Sequence, residues 1–465
     1  VESAARKADL AMSSHVFAHA LQLRAASRPA SGGVLANVVR DFESVREFAS
    51  SATLNLLGDM PFTLFFLAVI AMIGGWMVAV PLLLIPLTLG VSWWLRKPIS
   101  TELASNMQEG AQRTAHLFEV MNAWVRHLPG GLAIATILAC AFFAAITGSG
   151  AATAATIGMV AYPAMTERGY DKRFTLGLLA AGGTLGILIP PSIPLILYGA
   201  ITEESVGKLF IAGVVPGLVL TALFIVYAVY KSKRGGFTPM ERTSWSERLR
   251  VTRKNIWGIF LPFLIIGGIY SGAFTPTEAA AVGLVYSLFI TLFVYRTLSF
   301  RDIPAICLRS VTTSCMVAII IAGAILFGRV MTLLRIPQIL TELVISNNFS
   351  VLMFIIAMNV LMMILGCILE TVSIILLTMP LVTPILHALG IDPIWYGIVV
   401  TVNMTLALIT PPVGMNLYVI NGLRSDIRMG EVIQGVTPFI VIMALFLIGV
   451  IAFPAMSTWL PSIMQ

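Results

Sequence analysis

Phe174–Thr202 carries no charged side chain and is long enough to cross a bilayer, yet its centre reads TLGILIPPSIP (184–194), with Pro190, Pro191 and Pro194. A hydrocarbon core about 30 Å thick calls for roughly 20 apolar residues in a helix. Proline inside such a helix removes a hydrogen bond and clashes with the preceding turn, at about 3 kcal/mol or more. Lipid cannot replace the lost partner. A segment of this kind must bury its broken turn in protein or line a polar cavity with it.

The rest of the chain is built from similar material. Uncharged runs cover Met60–Leu95, Leu128–Thr166, Leu209–Tyr230, Asn255–Thr277, Ser310–Gly328, Leu343–Leu369, Pro393–Leu423 and Val432–Gln465. Only 11% of the residues are charged, against roughly a quarter in soluble domains. Repeated apolar runs of this length can satisfy their backbone only as helices, so the expected class is an all-α, polytopic integral membrane protein. The net charge of +7 sits largely between the runs, notably in 231–254, which has eight Lys/Arg against two Glu. That is the pattern of cytoplasmic loops, and it removes the case for nucleic acid. Cys140, Cys307, Cys315 and Cys367 form no CxxC pair and read as buried structural thiols. Phosphate-loop, HExxH and G-x-S-x-G motifs are absent, and the five histidines show no ligand spacing. The expectation is therefore a protein that is not an enzyme and needs no cofactor.

A shift of 221 residues lays TLGILIPP (184–191) on TLALITPP (405–412) without a gap. The same shift pairs Pro163 with Pro384, Gly169 with Gly390 and Asp171 with Asp392; one inserted residue later, Gly213 meets Gly435 and Pro216 meets Pro438. Coincident Pro, Gly and Asp point to internal duplication. The loop 166–173 has three basic residues and its counterpart 387–394 has no Lys or Arg, whereas 200–208 has one Lys and its counterpart 421–431 has two Arg. Basic short loops face the cytoplasm, so the copies are expected to lie in opposite orientations. Inverted repeats with broken spans at matching positions mark secondary transporters.

Leu128–Thr166 is too long for one span and contains TGSGAATAATIG (147–158). Thr147, Gly148, Ser149 and Gly150 can form a hairpin tip whose hydroxyls and loosened carbonyls hold an alkali cation; close packing of small residues explains them equally. The repeat shift places Glu370 at Ser149, either as a site residue or as an exposed tip carboxylate. Asn403, Thr405, Thr410 and Asn416 surround the second break, as site groups or as interhelical hydrogen-bonding residues.

From about Met121 onward the chain resembles the large membrane subunit of TRAP (tripartite ATP-independent periplasmic) transporters. The motifs are HLPGGLAIAT (127–136), AITGSGAATAATIG (145–158), ERGYDKRF (167–174), GTLGILIPPSIPLILYG (183–199), GGIYSGAFTPTEAAAV (267–282) and LITPPVGMNLYV (408–419). The resemblance implies an elevator-type carrier with re-entrant hairpins, driven by sodium as coupling ion, in a bacterial inner membrane. It implies partners as well: a small membrane subunit and a periplasmic binding protein that delivers organic acids such as C4-dicarboxylates or sialic acids. It also implies two site regions. The first is Thr147, Gly148, Ser149, Gly150 and Thr153 with Gly186, Pro190 and Pro191. The second is Glu370, Thr371 and Ser373 with Thr410, Pro411, Pro412, Gly414 and Asn416, to which the residue reading above adds Asn403. Sodium is then expected near Ser149, Gly186, Glu370 and Thr410. Within 121–465, repeat one covers about 128–230, connecting helices about 231–342, and repeat two about 343–465.

Residues 1–120 differ in kind. Eleven of the first 50 are charged, a single membrane hairpin is expected at 52–95, and a polar helical stretch follows. ADLAMSSHVFAHALQL (8–23) and RDFESVREFASSATLNLLGDMPF (40–62) resemble part of the transmembrane domain of a type I secretion ABC exporter. The change of character lies near 115–122. A gene fusion, an engineered join or an erroneous join of two reading frames each produces such a chain. The chain opens on Val1 without a signal peptide, as an interior piece would. Three readings follow: a TRAP large subunit, an exporter fragment needing a separate ATPase, or an inactive fusion of the two.

Overall fold

The computed structural model describes residues 117–463, except 237–239, 368 and 425, together with scattered positions between Leu64 and Leu83. The chain divides into two compact units, residues 1–98 and 99–465. In the first unit the described positions are helical. The exporter-like block 1–120 and its expected hairpin at 52–95 otherwise lie outside the described residues, apart from 117–120.

Local chemistry sets the helix ends in the second unit. The run Leu128–Thr166 resolves into α1 (Gly131–Thr147) and α2 (Gly150–Thr166). Gly148 stops α1 in the left-handed region at φ 60, and Ser149 caps α2 by accepting a hydrogen bond from the Ala152 amide. Asp171 caps α3 (Lys172–Leu188) in the same manner. The Pro190-Pro191 break separates α3 from α4 (Ile193–Thr202), and α5 (Val206–Arg234) follows behind the Ser205 cap. The connecting segment holds α6 (Trp245–Tyr270), α7 (Pro276–Phe289) ending in a π turn, α8 (Ile303–Leu333) and α9 (Ile336–Ser346). The second set comprises α10 (Val351–Gly366), α11 (Thr371–Ala388), α12 (Pro393–Ala407), α13 (Met415–Asn421) and α14 (Met429–Ala452), with a terminal α15 (Ala455–Ile463). Six helical segments of the described chain are long and apolar enough to cross a membrane. Two uncharged runs are not single helices. Leu343–Leu369 turns at Asn347–Phe349, where Asn348 takes φ 52, and Val432–Gln465 turns at Phe453-Pro454.

The 221-residue shift holds helix by helix. It carries α1 to α5 onto α10 to α14, Asp171 onto a second capping aspartate at Asp392, and left-handed Gly169 onto left-handed Gly390. Both Pro-Pro bonds are cis. Contacts between the copies are reciprocal: α4 packs on α11 and α13 on α2, while α3 packs on α14 and α12 on α5. The two basic loops meet at one end, where Lys172 Nζ lies 2.8 Å from Glu431 Oε2 and donates to the Asp426 carbonyl. At the other end Tyr198 of α4, just ahead of the base-poor loop 200–208, donates to the Pro393 carbonyl of the base-poor loop 387–394 at 2.6 Å. That sorting is what an inverted pair requires.

Lipid tails are as apolar as leucine, so close van der Waals contact must hold these helices together. Gly177 of α3 and Gly435 of α14 supply the tightest crossing. A Cβ on Gly177 would lie 2.0 Å from the Gly435 carbonyl oxygen, and one on Gly435 would lie 1.9 Å from that of Arg173. Gly213, the repeat counterpart of Gly435, faces a different partner: its Cβ would sit 3.0 Å from the Leu188 carbonyl oxygen, beside the break. Phe439 of α14 closes the seam with edge contacts to Phe224 and Tyr227 of α5, at 5.4 and 5.0 Å between centroids. Such pairs contribute about 0.5–1.5 kcal/mol beyond their buried area. Gly435→Ala is expected to destabilise the protein by about 1–3 kcal/mol, the range for overpacking. Gly449→Ala, on the same helix with nothing within 4 Å of its Cβ position, should stay within about 0.5 kcal/mol of the parent. Equal melting of the two variants in detergent would refute the crossing.

Candidate functional site

The first tip is organised by its own hydroxyls. Thr153 Oγ1, on a wholly buried side chain, donates to the Ser149 carbonyl at 2.8 Å and lies 3.1 Å from Thr147 Oγ1. Thr147 Oγ1 in turn donates to the Phe143 carbonyl at 3.1 Å. The tip rests on the break in α3 because glycines permit it. A Cβ on Gly186 would lie 2.6 Å from the Ser149 carbonyl oxygen and 2.8 Å from Thr153 Oγ1, and a Cβ on Gly148 would lie 2.8 Å from the Pro191 carbonyl oxygen. Gly150 faces the Gly183 carbonyl from the same side. Thr147, Gly148, Ser149, Gly150 and Thr153 are thus brought against Gly186 and Pro191. Pro190 is buried in the same turn, and Ser192 donates back to the Ile187 carbonyl. The result is a cluster of carbonyl and hydroxyl oxygens beside the C-terminal end of α3. Oxygen donors suit hard cations, and the negative end of a helix favours positive charge.

The second tip repeats the placement with different side chains. Cys367 Sγ lies 3.7 Å from the Pro411 carbonyl, and a Cβ on Gly366 would lie 2.5 Å from Ala407 Cβ. Glu370 occupies the N-cap position of α11 with no side-chain hydrogen bond to the first turn, and it is exposed. Thr371 is buried beneath it and Ser373 is half-buried. At the break, Thr410 Oγ1 donates to the Leu406 carbonyl at 2.7 Å, Pro411 is half-buried and Pro412 is exposed. Gly414 turns left-handed at φ 48, which brings the Asn416 amide to the Leu408 carbonyl at 3.1 Å.

Two residues grouped with this break by sequence point elsewhere. The Asn416 side chain crosses to the first copy, where Nδ2 donates to the Ala180 carbonyl of α3 at 3.1 Å and lies 3.0 Å from the Gly183 Cβ position. Its Oδ1 is buried without a partner among the described residues. Asn403 instead donates to both the Asn359 side chain, at 2.7 Å, and its backbone carbonyl, at 2.9 Å, on α10. Thr405 is wholly buried and donates within α12 to the Val402 carbonyl. Gly183 and Asn359 were not singled out from the sequence. Gly183 could have been found from its place in the GGTLG run, and Asn359 from its amide within an apolar stretch. Among the described residues no three His, Cys, Asp or Glu converge as metal ligands. Cys140 and Cys367 are buried as expected, but Cys307 and Cys315 are exposed, because α8 leaves most of its length uncovered.

The family model of the tripartite ATP-independent periplasmic transporter, DctM component, matches residues 99–456. That match begins upstream of the change of character near 115–122. The chain is 46% identical over 348 residues to the C4-dicarboxylate TRAP transporter large permease protein DctM of Pseudomonas aeruginosa, covering 74% of this chain and 81% of that one. The corresponding protein of Rhodobacter capsulatus is 39% identical over 378 residues, covering 78% and 85%. The sialic acid TRAP transporter large permease protein SiaM of Vibrio cholerae is 34% identical over 363 residues, covering 78% and 84%. Relatives and family model agree on a membrane transport component rather than an enzyme. The chain belongs to the DctM family, the large permease component of TRAP transporters.

Proposed function

We propose that the chain is the ion-coupled permease of a binding-protein-dependent importer in a bacterial inner membrane, driven by sodium and carrying small organic acids. The observation that supports this most directly is the seating of each hairpin tip on the broken helix of its own copy. At the first, the carbonyl and hydroxyl oxygens of Ser149 and Thr153 face Gly186 within 3 Å of one point beside its Cα. A monovalent cation there would neutralise the exposed carbonyl end of α3. The amides opening α2 and α11 would meet an anionic carboxylate, since helix N-termini favour negative charge. Glu370, at the second tip, would supply a carboxylate to the second cation. A C4-dicarboxylate is the favoured substrate class, because the relatives at 46% and 39% identity carry that name. The partners are a small membrane subunit and a periplasmic binding protein, and one relative that combines permease parts in a longer chain bears the name Isethionate TRAP transporter permease protein DctMQ.

A thermal melt of the purified chain in sodium and in potassium at equal ionic strength tests the ion. Sodium binding the folded state alone stabilises it by about 2.7 kcal/mol at a hundredfold excess over Kd, so a sodium-specific rise is expected. Identical melts in the two salts would count against a cation site in this chain. Ser149→Ala and Glu370→Gln are each expected to shrink the sodium-specific rise at subsaturating sodium. Glu370→Gln should leave the melt in potassium unchanged, whereas Ser149→Ala should also lower it by about 0.5–2 kcal/mol through loss of the α2 cap. An undiminished rise in both variants would remove these residues from the site.

A further inference from the structure

We infer that the N-terminal turn of α6 is a binding site for the phosphate headgroup of an anionic phospholipid in the cytoplasmic leaflet, with Arg248 as its anchoring cation. Arg248 is 3% exposed. Its Nη2 lies 3.4 Å from His127 Nδ1, and its guanidinium carbon lies 5.8 and 5.3 Å from the ring centroids of Trp124 and Trp245. Among the described residues no carboxylate pairs with it, and the adjacent Glu247 is taken by Arg250 at 2.6 Å. Arg248 Nε is buried without a hydrogen-bond partner. Ring faces attract a cation but accept no hydrogen bond in the guanidinium plane, so the Nε donor stays unfilled. A buried charge in that condition calls for an anion.

The surroundings favour lipid over a soluble anion. Trp124 and Trp245 meet edge to face at 6.0 Å and remain 39% and 61% exposed, as interfacial tryptophans do. Trp124 is held in that pose by a hydrogen bond to Thr252 at 3.0 Å. From this point Leu249, Ile256, Phe260 and Phe263 are exposed along α6, an apolar stripe on which acyl chains can lie. Arg253 and Lys254 stand exposed beside it, in the basic segment that the loop charges assign to the cytoplasm. Basic pockets of this kind between membrane helices bind lipid headgroups. The inference is independent of the coupling ion and of the substrate.

The test is native mass spectrometry of the full chain in detergent, titrated with phosphatidylglycerol or phosphatidylcholine. The unaltered chain is expected to hold one phosphatidylglycerol at least fivefold more tightly than phosphatidylcholine, and to keep that preference at high salt, where diffuse surface attraction is screened. Arg248→Gln should abolish the preference, whereas Arg253→Gln, which removes the same charge from an exposed position, should retain it. Inorganic phosphate at equal concentration should not displace the lipid. Equal retention of the two lipids by the unaltered chain, loss of the preference in salt, displacement by inorganic phosphate, or an unchanged preference in Arg248→Gln would each overturn the site. If Arg248→Gln does not fold, the lipid preference of the unaltered chain at high salt decides.

Discussion

In hydrocarbon every peptide group needs a partner from the protein itself, and this demand governs the second unit of the chain. A helix interrupted by Pro-Pro exposes carbonyls that lipid cannot satisfy. The fold meets the demand by setting a hairpin tip on each interruption. Gly148 and Gly186 let the Ser149–Thr153 turn approach the end of α3, and Gly366 lets the second tip approach α12. The tips, the breaks and the reciprocal packing of α4 on α11 and α13 on α2 all rest on this arrangement. The cluster of backbone oxygens at each break is therefore inseparable from the way the backbone is kept satisfied.

Much of this was legible in the sequence because proline, glycine and aspartate carry conformational meaning. The 221-residue shift, the two breaks, the Gly148-Ser149 tip and the capping Asp171 and Asp392 could all be read from residue type and spacing. The direction of the amide side chains could not. Asn416 lies close to Pro411-Pro412 along the chain, and spacing alone groups it with the second break. Gly414 turns the chain there and sends the Asn416 amide into the first copy, against Ala180. Asn403 is drawn off by Asn359, a residue 44 positions earlier that no local pattern connects to it. The run Leu343–Leu369 also misled by composition, since a left-handed Asn348 ends one helix without any charge or proline to announce it.

The connecting helices follow a different economy of contact. Phe260, Phe263, Leu284, Phe289, Val311 and Ile325 are exposed on α6, α7 and α8, whereas α3 and α12 are buried along almost their whole length. The exposed helices thus present their apolar side chains to their surroundings, while the paired copies present theirs to each other. Small residues explain the difference. Glycine at the α3–α14 crossing allows backbone-to-backbone contact, and only such contact yields enough dispersion energy to compete with lipid.

Gly213 and Gly435 hold matching positions in the two copies, yet one sits beside the break carbonyl of Leu188 and the other against the start of α3 at Arg173. Two exchangeable halves would make the forms of a carrier open to either side equivalent by a two-fold rotation and equal in free energy, each occupied half the time without any gradient. Unequal contacts at matched glycines remove that degeneracy. A difference of only 1.4 kcal/mol would leave one form ten times more populated, so the resting posture of such a molecule is written into where its duplicated helices touch, before any ion or membrane voltage acts on it.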